Sequence, residues 1–129
     1  MANTRLVTLQ PPRTDAYYER TGESEETEVI AATATATAVP GPDTPYIYTG
    51  EAETVRTYVD YEGTVTAVNL ECYVLGDTGW YWAGAADLTP EHGDEFRDWP
   101  LIGKFVRIAF RVASIEGGGT AAVRVTGVW

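Results

Sequence analysis

Asp77-Thr78-Gly79, inside the stretch GDTG, is a group of residues whose types could do chemistry. The triplet matches that of aspartic proteases, in which two such carboxylates share one proton. In those enzymes it follows an apolar strand directly and precedes a small residue. Here Gly76 precedes it and Trp80 follows it. Gly-Asp-Thr-Gly between two strand-like segments is what a hairpin turn needs, because Gly and Asp tolerate the dihedrals. The single histidine, His92, lies in PEHGDEFRDW with Asp94, Glu95 and Asp98 close by. A zinc site would want further His or Cys ligands. Calcium could draw on Glu91, Asp94, Glu95 and Asp98, but the EF-hand spacing is missing. The plainer reading is an acidic surface loop, and no metal or cofactor is expected. Ser24 and Ser114 are the two serines, and neither sits in a nucleophile motif. EGGGT lies between two strand patterns rather than before a helix, so it is no phosphate loop.

Binding chemistry has more to work with. Trp80, Tyr81 and Trp82 follow one another, and alternation puts the two tryptophans on one face of a strand. Stacked against a sugar ring, Trp80 and Trp82 would make a carbohydrate site. The preferred reading is that they fill the core, as large aromatics usually do. Near the end of the chain, RIAFRVASIEGGGTAAVRV reads as a β-hairpin closed by Glu116–Gly119. It sets Ile108, Phe110 and Val112 on one face with Val123 and Val125, and Arg107, Arg111 and Arg124 on the other. In that register Ile115 pairs with Thr120 and Arg111 falls opposite Arg124. Like charges facing each other are unfavourable, so both arginines need carboxylates. Glu71, outward on its own strand, or acidic residues of another chain could supply them, and an internal salt-bridge ladder is slightly preferred.

The whole chain must position these groups. Its 129 residues fit one domain, large enough for a core without disulfides. Nine basic against nineteen acidic residues give a net charge of −10, which argues against nucleic acid as a partner. The lone cysteine, Cys72, sits in an apolar strand pattern and reads as a buried small residue. No apolar leader or membrane-length run is visible, so a soluble protein made inside a cell, with no membrane partner, is expected. Alternation marks strands in TEVIAATATATAV from Thr27, YIYTG, ETVRTYVDY, TVTAVNLECYVL and WYWAGAADL, followed by the closing hairpin. TPEHGDEFRDWPLIG reads as a long polar loop with room for one helical turn. The expected fold is all-β: an antiparallel β-sandwich or jelly roll of seven or eight strands over residues 26–129. Val68, Leu70, Val74, Val106, Ile108, Phe110, Val123 and Val125 should share one interior.

Residues 1–25 precede this as an extended arm. Pro11-Pro12 favours an extended path. Leu6, Val7, Leu9, Tyr17 and Tyr18 are more apolar side chains than a solvated tail usually carries. The arm is expected to dock on something; the alternative is a disordered tail.

From Val55 to Trp129, GTVTAVNLECYVL leads into GWYWAG and a polar loop, then FVRIAFRV, a glycine turn and AAVRVTGVW. This pattern, over about three-fifths of the chain, resembles the β-sandwich or jelly-roll accessory proteins of tailed-bacteriophage virions. It is most similar to capsid decoration (cement) proteins. The resemblance implies a non-enzymatic virion protein on the capsid surface, synthesised in the host cytoplasm. Its implied partners are the major capsid protein and copies of itself, with a homotrimer favoured. The arm would then reach neighbouring subunits through Leu6, Val7, Leu9, Pro11, Pro12, Tyr17 and Tyr18, and Arg111 and Arg124 would pair with partner charges. A tail or neck accessory protein, or a carbohydrate-binding module, is the alternative.

Overall fold

A computed structural model describes residues 3–10, 26–90, 96–100 and 106–129. Two sheets pack into a β-sandwich. Among the described residues nine strands run in order: β1 (Arg5–Thr8), β2 (Thr27–Ala32), β3 (Tyr46–Tyr48), β4 (Thr54–Glu62), β5 (Ala67–Leu75), β6 (Trp80–Leu88), β7 (Phe96–Pro100), β8 (Arg107–Glu116) and β9 (Thr120–Val128). The five-stranded sheet has the order β1-β3-β8-β5-β6 and the four-stranded sheet β2-β9-β4-β7. Every pairing is antiparallel except β1 with β3.

Alternation in β4 buries Val55, Thr57 and Val59, and in β5 it buries Val68, Leu70 and Cys72. From the facing strands come Ile108, Phe110, Val112, Val123 and Val125. Val74 and Val106 pack against this cluster from its rim. The expected interior is therefore found. Thr57 is buried but satisfied, since Trp99 Nε1 donates to its hydroxyl at 3.0 Å. Trp99 in turn meets Phe110 edge-on, with ring centroids 5.4 Å apart.

Among the described strands only β5 and β6 are neighbours both in sequence and in a sheet. Their turn is GDTG, where Gly76 N–H donates to the Gly79 carbonyl at 2.8 Å. The closing hairpin is a correction. β8 belongs to the five-stranded sheet and β9 to the four-stranded one, so Glu116–Gly119 carries the chain across the sandwich. The apolar faces of β8 and β9 meet across the core instead of lying side by side. An alternating pattern fixes which face is buried, but not which strand lies alongside. The crossing runs against the β4–β5 crossing: Gly119 N–H donates to the Thr64 carbonyl at 2.7 Å, and Thr66 N–H to the Glu116 carbonyl at 2.8 Å. Gly117 combines φ of 109° with a missing Cβ that would lie 2.7 Å from Thr64 O. The third glycine, Gly119, lies so close to the neighbouring backbone that a Cβ would come within 2.5 Å of Glu62 O.

Three further differences concern the elements. The strand expected along the Ala-Thr stretch ends at Ala32. Beyond it the chain changes sheets, and Thr37 grips the open edge of β8: its N–H donates to Val112 O at 2.9 Å and its hydroxyl accepts from Val112 N–H at 2.8 Å. The polar loop contains an edge strand, β7, paired with β4. Residues 5–9, expected in the arm, lie within the sandwich. β1 extends the five-stranded sheet, and Leu9, 3% exposed, joins the core while its N–H donates to Tyr48 O at 2.8 Å. Asn3 fastens the start of this segment by donating to the Gly41 and Thr44 carbonyls.

Candidate functional site

The outer face of the five-stranded sheet gathers the binding candidates. Glu71 on β5 is its centre. Tyr73 OH donates to Glu71 Oε1 at 2.9 Å, and Trp82 Nε1 donates to Glu71 Oε2 at 3.1 Å. Arg111 on β8 is paired with Glu71 in the sheet register, with its Nε 3.3 Å from Oε1. That Nε is buried and makes no directed hydrogen bond, so this contact is an ion pair held by charge. Arg111 and Glu71 side chains are each 19% exposed, which shields their attraction from solvent more than at an open surface. Tyr73 is itself buried. Burial raises its pKa first, the hydrogen bond and charge of Glu71 raise it further, and Arg111 opposes them.

Trp80 and Trp82 are not core residues, which corrects the preferred sequence reading. Trp82 is 61% exposed. The β5–β6 pairing shifts between Cys72 and Tyr73, leaving Ala83 unpaired between Trp82 and Gly84. Such a bulge reverses the parity of everything beyond it. Ala86 and Leu88 point into the core, while Trp82 lies on the outer face beside Tyr73. Trp80 pairs with Leu75, is half-buried, and donates from Nε1 to the Gly41 carbonyl at 3.0 Å. The Trp-x-Trp spacing pointed to this strand, but the bulge left no mark in the alternation. Tyr73, a member of the site, was missed; its cross-strand position opposite Trp82 is the signal that could have found it.

Arg124 is on the other side of the molecule. It forms a two-pronged pair with Asp60, Nε to Oδ2 at 2.7 Å and Nη2 to Oδ1 at 3.3 Å, contacts Glu26, and lies 5.4 Å from the Tyr58 ring centroid. Arg111 and Arg124 do not face each other, and both find carboxylates within the chain. Arg107 donates to the Leu75 carbonyl and sits over the Tyr46 ring.

Of the arm residues, Leu6 is exposed at 45%, Val7 packs against the core and Leu9 is inside it. Pro11, Pro12, Tyr17 and Tyr18 lie outside the described residues, as do His92, Glu91, Asp94 and Glu95. Asp98 is engaged by Arg56, Nε to Oδ1 at 2.6 Å. Asp77 occupies the β5–β6 turn. Cys72 is buried, and burial pushes its thiol up to about 12. Among the described residues no cluster of three or more His, Cys, Asp or Glu is placed to hold a metal ion, and no helix is long and apolar enough to cross a membrane. Between β6 and β7 a cleft of about 490 Å³ opens toward Cys72, Val74, Trp99 and Ile108.

No protein-family profile, no curated protein and no solved structure matches the chain.

Proposed function

We propose that this chain is a non-enzymatic structural protein of a tailed-phage virion that binds the outer surface of the capsid and stabilises it. The observation that carries the reading is where the resembling pattern falls. The segment from Val55 to Trp129 holds β5, β6, β7, β8, β9 and nearly all of β4, the strands of a sandwich. Its suspicious groups have structural employment there: Asp77 in a turn, Cys72 in the core, and Asp98 with Arg56. What such a domain offers a partner is rigid surface, with Leu6, Tyr81 and Phe96 exposed on strands. Copies of the chain would sit as trimers, and multivalent attachment would multiply a modest affinity per copy. Pro11, Pro12, Tyr17 and Tyr18 remain the proposed reach toward neighbours, joined by the exposed Leu6; Leu9 does not, because it belongs to the chain's own core.

The test is co-sedimentation of the purified full chain with undecorated tailed-phage capsids, beside analytical ultracentrifugation of the chain alone. Saturable binding that raises the capsid's thermal disruption temperature supports the reading. A chain that stays in the supernatant with capsids but pellets with tails moves it to the tail or neck.

A further inference from the structure

Trp82 has the largest exposure of any large apolar side chain among the described residues, yet its ring is held in place. The indole N–H is tied to Glu71, and Glu71 is held in turn by Tyr73 and Arg111. A ring fixed before binding loses little conformational freedom when a ligand arrives. It lies on the sheet with much of its surface open to solvent.

The surroundings say what would fit. On the outer face of β5 and β6, Glu71 is paired with Ala85, and Asn69 with Asp87. Asn69 Nδ2 donates to Asp87 Oδ1 at 2.7 Å, so these groups are also oriented. The indole therefore stands among fixed hydrogen-bonding groups, with a short alanine side chain leaving space beside Glu71. A protein partner's anchor usually sits in a packed surround that excludes water, and here the neighbours are polar or small. A pyranose has the matching two-part chemistry. Its axial C–H bonds make an apolar face for the ring, and its equatorial hydroxyls both donate and accept at the rim. Glu71 and Asp87 supply acceptors, and Asn69 and Arg111 supply donors. Charge narrows the class. The chain carries −10, and Arg111 is already matched by Glu71, so an anionic sugar finds no spare cation there.

We infer that the outer face of β5 and β6 around Trp82 binds neutral pyranose oligosaccharides, with the indole as the stacking platform and Glu71, Asn69 and Asp87 as hydroxyl partners. This inference does not rest on the capsid reading. It is tested by isothermal titration calorimetry of the full chain with gluco-, manno-, galacto- and xylo-hexaose. The expected result is saturable binding of at least one of the four. Trp82→Ala should weaken it roughly tenfold or more, the scale of losing one aromatic stacking contact, while Trp82→Tyr retains part of it. Asp87→Ala should weaken it too. The variants should share the parent's circular dichroism and urea midpoint, since Trp82 and Asp87 are exposed. Flat titrations with all four sugars overturn the inference, as does binding that Trp82→Ala leaves unchanged. If the sugars give no heat but Trp82→Ala abolishes capsid co-sedimentation, the ring belongs to a protein interface; the sugar inference then falls and the capsid reading stands.

Discussion

Replacing Gly119 by alanine tests the crossing of the two sheets directly. The new Cβ would lie 2.5 Å from Glu62 O, 2.7 Å from Thr64 O and 2.8 Å from Val65 Cγ2. Two of these are backbone oxygens and cannot swing away. The β4–β5 crossing must retreat, and the Gly119 N–H to Thr64 O bond must lengthen with it. Overpacking costs about 1–3 kcal/mol and a weakened hydrogen bond about 0.5–1.5 kcal/mol, so the expected loss is roughly 2–4 kcal/mol. Gly118 is the internal control. Nothing lies within 4 Å of its missing Cβ, and only its φ of 86° resists a side chain. Gly118→Ala should therefore cost about 1–2 kcal/mol, the left-handed penalty alone. In a simple hairpin Gly119 would sit at an open tip and the order of the two would reverse. The assay is urea unfolding followed by tryptophan fluorescence, with the m-value checked for constancy. A Gly119→Ala protein within about 0.5 kcal/mol of the parent, or more stable than Gly118→Ala, would refute the two-layer crossing.

Leu9→Ala should destabilise the domain by about 2–5 kcal/mol, and deletion of residues 1–25, which removes β1 as well, should lower the melting temperature; an unchanged melt would mean β1 contributes nothing to the sheet. The Cys72 thiol, pushed up to about 12 by burial, should resist a disulfide reagent at pH 8 until urea unfolds the chain, and prompt stoichiometric labelling of the native protein would contradict its burial. The Arg56 hydrogen bond holds the Asp98 carboxyl below its ordinary value of 3.8, against a smaller opposing effect of burial. A lowered folded pKa gives stability that is present above the unfolded value and lost as pH falls through the folded one. Parent and Arg56→Gln should therefore differ at pH 6, by about 0.2–1 kcal/mol for so exposed a pair, and converge below pH 3.8; a gap that widens on acidification would reverse the assignment.

Strand identity and facing were legible wherever alternation ran unbroken. Val55, Thr57 and Val59 in β4, and Val68, Leu70 and Cys72 in β5, are inside as their parity requires. GDTG made its turn. Neighbour relations were not legible, because facing apolar sets look the same in a hairpin and in a crossing between sheets. β1 and β7 were hidden by brevity and by the polar residues of edge strands; Phe96–Pro100 ends on a proline that an edge can tolerate. The candidate site failed on a single residue. Trp80, Trp82, Ala86 and Leu88 share one sequence parity, and the unpaired Ala83 puts the tryptophans on the opposite face from Ala86 and Leu88.

The arginines of the two closing strands raise no repulsion, because β8 and β9 lie in different sheets and Arg111 and Arg124 sit on opposite sides of the sandwich. Each stitches its own strand to a neighbour: Arg111 to Glu71 on β5, and Arg124 to Asp60 on β4 and to Glu26 just before β2. Arg56 does the same between β4 and β7 through Asp98. The Arg124 and Arg56 ties draw on more than charge. Arg124 grips both oxygens of Asp60 while its guanidinium covers Tyr58, and Arg56 grips both oxygens of Asp98 while covering Phe96 at 4.9 Å. A planar fork can hold a carboxylate along its edge and an aromatic ring against its face at once; an ammonium point charge cannot. Eight of the nine basic residues are arginine, with Lys104 the exception. In a chain with so few cations, a residue that makes both contacts at once can fix a neighbouring strand and shelter an exposed ring with one side chain.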